Sequence, residues 1–273
     1  MQHSMVSVHH DAAAPVEPGG PGAPVHAPVR VPMLGLSFDR VDARRTLALL
    51  EARRPGMPLA YVVTPNVQHV VAADRDPALK DYFAGAWLSL CDSHPVRMLA
   101  RRSGVDLSVV TGSDLTVAMF DGLIGTGDRI AVICASDALG AALRVSRPDI
   151  DWDIMVPPVG TAPGTPAFDD CVDFIAGSTA RFIFVCLGAP KSEMMCHAAA
   201  RRPGATGTAL CTGAALEFML GLKTRAPRFY RRMGIEWVYR MLSEPHRLAR
   251  RYLTSFVPLA RIWLRHRRDV AGS

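Results

Sequence analysis

Short apolar runs, many of them β-branched, alternate along this chain with longer stretches of helical periodicity. Residues 59–63, Leu-Ala-Tyr-Val-Val, read as a buried strand ending in Thr64-Pro65-Asn66, and a helix starts at Val67 with Asn66 placed to cap it. Residues 87–91 form a second predicted strand, ending at Asp92, and residues 129–134 a third. Residues 181–187 form a fourth, ending at Gly188-Ala189-Pro190, and residues 209–211 a fifth, ending at Thr212-Gly213. Apolar runs separated by helices predict an α/β fold, a mostly parallel sheet with helices on both faces. Ligands of such sheets bind outside the carboxyl ends of the strands. The polar groups collect there: Thr64 and Asn66, Asp92, Lys191 with Ser192 and Glu193, and Thr212 with Gly213. One site built from four loops is the expectation. Each group also has a plainer reading: Asn66 as an N-cap, Gly188 and Gly213 as turn glycines, and Asp92 as the cap of a helix beginning near Pro95.

With 273 residues, 49% hydrophobic and 21% charged, the chain fits one main domain plus tails. Residues 1–30, rich in Pro, Gly, Ala and His and without periodicity, are expected to be a disordered tail with no apolar secretion signal. No apolar run approaches the length of a membrane span, so any membrane contact is expected to be peripheral. Cys91, Cys134, Cys171, Cys186, Cys196 and Cys211 show no paired CxxC spacing and read as small core residues in a reducing compartment. Neither a metal site nor a cofactor is implied.

The net charge of +6 is unevenly placed. Between Lys223 and Arg268 stand twelve arginines, Arg225 to Arg268, against Glu236 and Glu244 alone as acids. Such a segment suits a polyanion, or more plainly a solvated helical face. It lacks an aromatic platform or recognition motif for nucleic acid, which is not expected as a partner. The chain therefore divides into a tail (1–30), a core (31–222) and a basic C-terminal appendage (223–273).

Several strings occur in one order: Thr64-Pro65-Asn66 with His69-Val70; Cys91-Asp92; Thr111-Gly112-Ser113-Asp114-Leu115; and Leu187-Gly188-Ala189-Pro190-Lys191-Ser192-Glu193. They are followed by Arg225-Ala226-Pro227-Arg228, then Gly234-Ile235-Glu236-Trp237-Val238-Tyr239-Arg240, then Glu244-Pro245-His246-Arg247-Leu248 with Arg250-Arg251-Tyr252-Leu253. This collinear set, from about Val31 to Leu264, resembles the WecG/TagA/CpsF glycosyltransferases. The resemblance implies a Rossmann-like core with a basic helical C-terminal appendage that docks on the membrane and completes the active site. It implies inverting, metal-independent transfer from a UDP-sugar donor (N-acetylmannosamine, its uronic acid, glucuronate or similar) to a polyprenyl-diphosphate-linked sugar acceptor in cell-surface polysaccharide synthesis. The location implied is cytoplasmic, peripheral on the inner face of the plasma membrane, and a homo-oligomer is compatible with it. Val156-Pro157-Pro158-Val159-Gly160 leans towards members from exopolysaccharide loci.

Residue by residue, the resemblance makes Asp92 the catalytic base, and a carboxylate within reach of an acceptor hydroxyl can take its proton. Donor and acceptor binding falls to Thr64, Asn66, Gly112, Ser113, Asp114, Gly188, Lys191, Ser192, Glu193, Gly213 and Glu217. The departing diphosphate needs a metal, cations or helix-start N–H groups. Asp151-Trp152-Asp153 has the letters of a metal motif but reads as a polar connection after Arg147-Pro148, so arginines are expected instead. Arg225, Arg228, Arg232 and Arg240 are assigned to diphosphate, and Arg247, Arg250 and Arg251, interleaved with Leu248, Tyr252, Leu253, Phe256 and Trp263, to an amphipathic lipid-facing helix. The chain departs from the family pattern at Ser93 (usually glycine, supplying positive φ if the loop needs it), Ser192 (usually glutamine), Val109 (commonly arginine), Cys134-Ala135-Ser136 and Glu217. An alternative reading is a nucleotide-sugar binding module of the same fold that has lost turnover.

Overall fold

The computed structural model describes residues 27–224 and 245–271, and within the last helix the side chains of residues 255–268. The elements in chain order are β1 (Arg30–Met33), β2 (Leu36–Asp39), α1 (Ala43–Ala52), β3 (Ala60–Val63), α2 (Val67–Arg75), α3 (Leu79–Ala84), β4 (Leu88–Ser89) and α4 (His94–Arg102). They continue with α5 (Gly112–Gly122), β5 (Arg129–Ile133), α6 (Asp137–Ser146), β6 (Asp151–Met155), α7 (Pro166–Gly177), β7 (Phe182–Val185), α8 (Lys191–Ala199), β8 (Thr208–Cys211), α9 (Ala215–Met219) and α10 (Pro245–Ala271).

Six strands form one parallel sheet in the order β4-β3-β8-β7-β5-β6. Because side chains alternate across a strand, each strand feeds two cores. Tyr61, Val63, Ala131, Ile133, Ile183, Val185, Ala209 and Cys211 face a core completed by the β1–β2 hairpin and by α2, α3, α4, α7, α8 and α10. Val62, Leu88, Ile130, Val132, Phe182, Phe184 and Leu210 face the other, completed by α1, α5, α6 and α9. Burial on both faces is why these strands read as unbroken apolar runs. The expected α/β, Rossmann-like fold is the fold observed.

Three local readings change. Asp151-Trp152-Asp153 is no connection but the start of β6, an edge strand. Trp152 is buried and stacks on Phe120, while Arg129 of β5 lies 3.8 Å from Asp151 and 3.6 Å from Asp153. A polar, one-sided edge strand lacks the apolar run that marks its neighbours. The β1–β2 hairpin, turning through Leu34 (φ 55) and Gly35 (φ 79), was not foreseen. Its Asp39 carboxylate accepts from Arg30 at 2.9 and 2.8 Å and from the Ser89 N–H at 2.7 Å, fastening the hairpin beside β4, the other edge of the sheet.

The third change concerns Trp263. Leu259, Ile262 and Trp263 share one face of α10 at helical spacing, the first two buried, and Trp263 Nε1–H donates to Ser103 Oγ at 3.3 Å. Arg265 pairs with Asp74 of α2. Trp263 therefore faces protein rather than lipid, and the exposed side of this helix carries Val257, Arg261 and Leu264. Among the described residues no helix is long and apolar enough to cross a membrane.

Candidate active site

Asp92 lies just beyond β4. Its N–H donates to the Pro65 carbonyl at 3.1 Å, and the Cys91 carbonyl accepts the Val110 N–H at 2.9 Å. These two bonds clamp the segment between the β3–α2 loop and the lead into α5. The carboxylate does not cap its own helix: Ser93 does, its Oγ accepting the Val96 N–H at 3.2 Å. Asp92 Oδ2 instead accepts the Gly112 N–H at 3.1 Å, at the first turn of α5. Ser93 itself has φ −164, extended backbone open to any residue, so the left-handed freedom of a glycine is not required there.

Gly112 allows the close approach. A Cβ there would come 3.3 Å from Thr64 Oγ1 and 3.4 Å from Thr212 Cα, so the start of α5 sits against the ends of β3 and β8. Thr64 Oγ1–H in turn donates to the Cys211 carbonyl at 3.4 Å. Ser113 and Asp114 occupy the same first turn. Thr111 Oγ1 accepts the Asp114 N–H at 3.0 Å and donates to Asp114 Oδ2 at 2.7 Å. After Thr212, Gly213 takes φ +55 and leads into α9.

The next loop is organised around a residue that sequence reasoning left out of the site. Asn66 caps α2, its Oδ1 accepting the Gln68 N–H at 2.9 Å. His69 Nδ1 accepts the Asn66 N–H at 3.1 Å and completes a capping box. Because an N–H only donates, Nδ1 carries the lone pair and the ring proton belongs on Nε2. That nitrogen lies 3.5 Å from Oε1 of Glu193, a residue 3% exposed at the first turn of α8. Oε2 of Glu193 is buried with no hydrogen-bond partner. Position three of a capped helix was the signal that could have singled out His69.

Gly188 is exposed and Lys191 half-buried at the mouth of the β7–α8 loop. Ser192 is buried, and its hydroxyl lies 2.8 Å from the Leu187 carbonyl and 3.2 Å from that of Val185. The serine thus ties its own loop to the end of β7.

Glu217 stands on α9, over the ends of β5 and β7. Burial pushes the Cys134 thiol up to about 12, with the Glu217 charge adding to it, and raises Cys186 for the same main reason. Past α9 the chain reverses through Gly221 (φ 71), where the Leu222 N–H returns to the Glu217 carbonyl at 2.9 Å. This turn sets Lys223 Nζ 2.6 Å from Glu217 Oε2.

The structure therefore gathers Thr64, Asn66, Asp92, Gly112 and Glu193, with Gly213 adjoining through Thr212, around the ends of β3, β4 and β8, and it sets Glu217 over β5 and β7. Arg225, Arg228, Arg232 and Arg240 lie outside the described residues. Arg247, Arg250 and Arg251 fall on the first half of α10, where only the backbone is described. Among the described residues no group of three or more His, Cys, Asp or Glu side chains could hold a metal ion.

A parallel sheet wound on both faces, with polar loops and helix starts meeting at the carboxyl ends of its strands, defines a Rossmann-like α/β protein, a class whose ligands bind at that end of the sheet. The chain matches the glycosyl transferase WecG/TagA/CpsF family over residues 31–271 and belongs to that family. It is a glycosyltransferase of this type.

Proposed function

We propose that the protein transfers a sugar from a UDP-linked donor to a polyprenyl-diphosphate-linked acceptor, with inversion and without a catalytic metal, in cell-surface polysaccharide synthesis. N-acetylmannosamine, its uronic acid, glucuronate or a similar sugar is the group moved. The observation that carries this reading is the Asp92 carboxylate, set beyond a strand end and held toward α5 by the Gly112 N–H. In this mechanism Asp92 takes the proton of the acceptor hydroxyl as its oxygen bonds to the anomeric carbon from the face opposite UDP. The carbon–oxygen bond to UDP breaks in the same displacement, which inverts the centre.

The leaving diphosphate gains negative charge in that step. N–H groups at the start of α8, with Lys191, are suited to receive it, and the appendage arginines Arg225, Arg228, Arg232 and Arg240 are proposed as further donors. Arg247, Arg250 and Arg251 are proposed to hold α10 to anionic lipid on the cytoplasmic face of the plasma membrane. The deciding experiment is turnover by purified protein in EDTA, with UDP-hexoses, UDP-N-acetylhexosamines and UDP-hexuronates offered singly alongside a short polyprenyl-diphosphate-sugar. Acceptor-dependent product from one donor supports the reading and names the sugar. UDP binding without product from any donor would favour the binding module instead.

A further inference from the structure

We propose that His69 and Glu193 are positioning residues that set the catalytic carboxylate from the far side of the β3–α2 loop; this rests on the assignment of Asp92 as the base. A chain of contacts joins the two regions. Glu193 Oε1 faces His69 Nε2 at 3.5 Å, His69 Nδ1 accepts the Asn66 N–H at 3.1 Å, and the carbonyl of the preceding residue, Pro65, accepts the Asp92 N–H at 3.1 Å. Asp92 Oδ2 then accepts from Gly112 at 3.1 Å. Each end of the chain belongs to a different loop of the site, the α8 start at one and the α5 start at the other.

The chemistry favours positioning over substrate contact. Glu193 is 3% exposed and its second oxygen has no partner, a costly placement for a carboxylate unless its charge serves a fixed neighbour. That neighbour is His69, whose ring sits edge-on to Phe83 with centroids 5.6 Å apart. A carboxylate opposite Nε2 keeps the proton on that nitrogen and so keeps Nδ1 an acceptor. Reversing the tautomer would put two N–H groups face to face at Asn66 and push the Pro65 carbonyl off the Asp92 N–H. A misplacement of about 1 Å at a catalytic group can slow a reaction by roughly 100-fold.

The test uses the protein with Glu193→Leu, His69→Leu, His69→Gln and the double change His69→Leu with Glu193→Leu, which removes both partners together. Amide hydrogen exchange, UDP affinity and kcat are read for each. In Glu193→Leu and His69→Leu the Asn66, Asp92 and Gly112 amides should exchange about tenfold faster while those of β5 stay unchanged. In the same variants kcat should fall roughly 10–100-fold with UDP affinity held within about twofold. His69→Gln, the usual partner in a capping box, should recover most of both, and the double change should cost no more than the worse single one. Unchanged exchange at Asp92 and Gly112 overturns the proposal, as does a loss of UDP affinity matching the loss of rate, which would put Glu193 on the donor. A wild-type protein inactive with all donors would refute the transferase reading, and amide exchange would still decide the coupling.

Discussion

Ser93 Oγ accepts the Val96 N–H at 3.2 Å, while Oδ2 of Asp92, one residue earlier, accepts the N–H of Gly112 in a different helix, α5, at 3.1 Å. Two adjacent polar residues at one strand end thus divide the work: the serine starts α4 and the aspartate holds the start of α5. Asp92→Asn keeps the acceptor oxygen for Gly112 and removes the basicity. Turnover should fall by roughly 10²–10⁴-fold while UDP affinity changes little, because the base acts on the acceptor proton. Steady-state rates beside calorimetric UDP titration would measure both, and near-wild-type turnover would remove Asp92 from the mechanism.

The division also predicts how position 93 responds. Ser93→Ala should lose about 1 kcal/mol of stability with the cap, and Ser93→Gly only a few tenths. With φ −164 the backbone needs no glycine, so Ser93→Gly should leave kcat within about twofold. Urea melts and rates of the two variants would check this, and a large gain in rate for the glycine variant would show that the loop does require another conformation.

His197 should make the protein acid-sensitive. Arg201 Nη1 lies 3.3 Å from its Nε2, and its Nδ1 is 3.0 Å from the Tyr61 hydroxyl, which donates to the Tyr82 carbonyl at 2.6 Å. Burial first, then the Arg201 charge, hold the imidazole below its ordinary 6.5. The folded state therefore resists a proton that the unfolded chain accepts. Its contribution is complete above about pH 6.5 and is lost as pH falls through that value towards the lower folded one. His197→Gln should flatten the fall in denaturation midpoint between about pH 7.5 and pH 5.5, and an unaltered slope would assign the acid response to other groups.

The thiols should be silent. All six cysteines are buried and free, and burial pushes Cys91 as well as Cys134 up to about 12. A thiol-specific disulfide reagent at neutral pH should label none of them in the native protein and all six after denaturation. Rapid native labelling of even one would mean that its part of the core opens.

Removal of α10 should cost the core directly. Ile262 is 3% exposed against the face that holds Val70 and Val71, and Ile262→Ala should destabilise by about 2–5 kcal/mol. Chain ended before Pro245 should bind an apolar dye and melt at a lower temperature. An unchanged melt would show the helix to be a passenger.

The sheet, and the place of Asp92 beyond one of its strands, were legible for one reason: strands buried on both faces appear as apolar runs, and the polar residue that follows each run marks where the strand ends. β6 escaped because Asp151 and Asp153 interrupt its pattern, and their partner, Arg129, belongs to another strand. Trp263 was misplaced because α10 has apolar residues on more than one side, and only packing decides which side meets the core. Pairing of His69 with Glu193 was invisible because the two meet only when folding brings the first turns of α2 and α8 together. The capping role of Asn66, a matter of adjacent residues, could be read at once.

The strand order carries a lesson about synthesis. β8 is the last of the described strands in chain order, yet it lies between β3 and β7 and joins the two halves of the sheet. Until Thr208 to Cys211 arrive, Ala60–Val63 and Phe182–Val185 are each left with a bare, apolar edge. A nascent or prematurely ended chain therefore presents two sticky margins and no active site, a state that favours self-association. Assembly of the loops around Asp92 is thereby deferred until β8 has been made, with α10 still to follow.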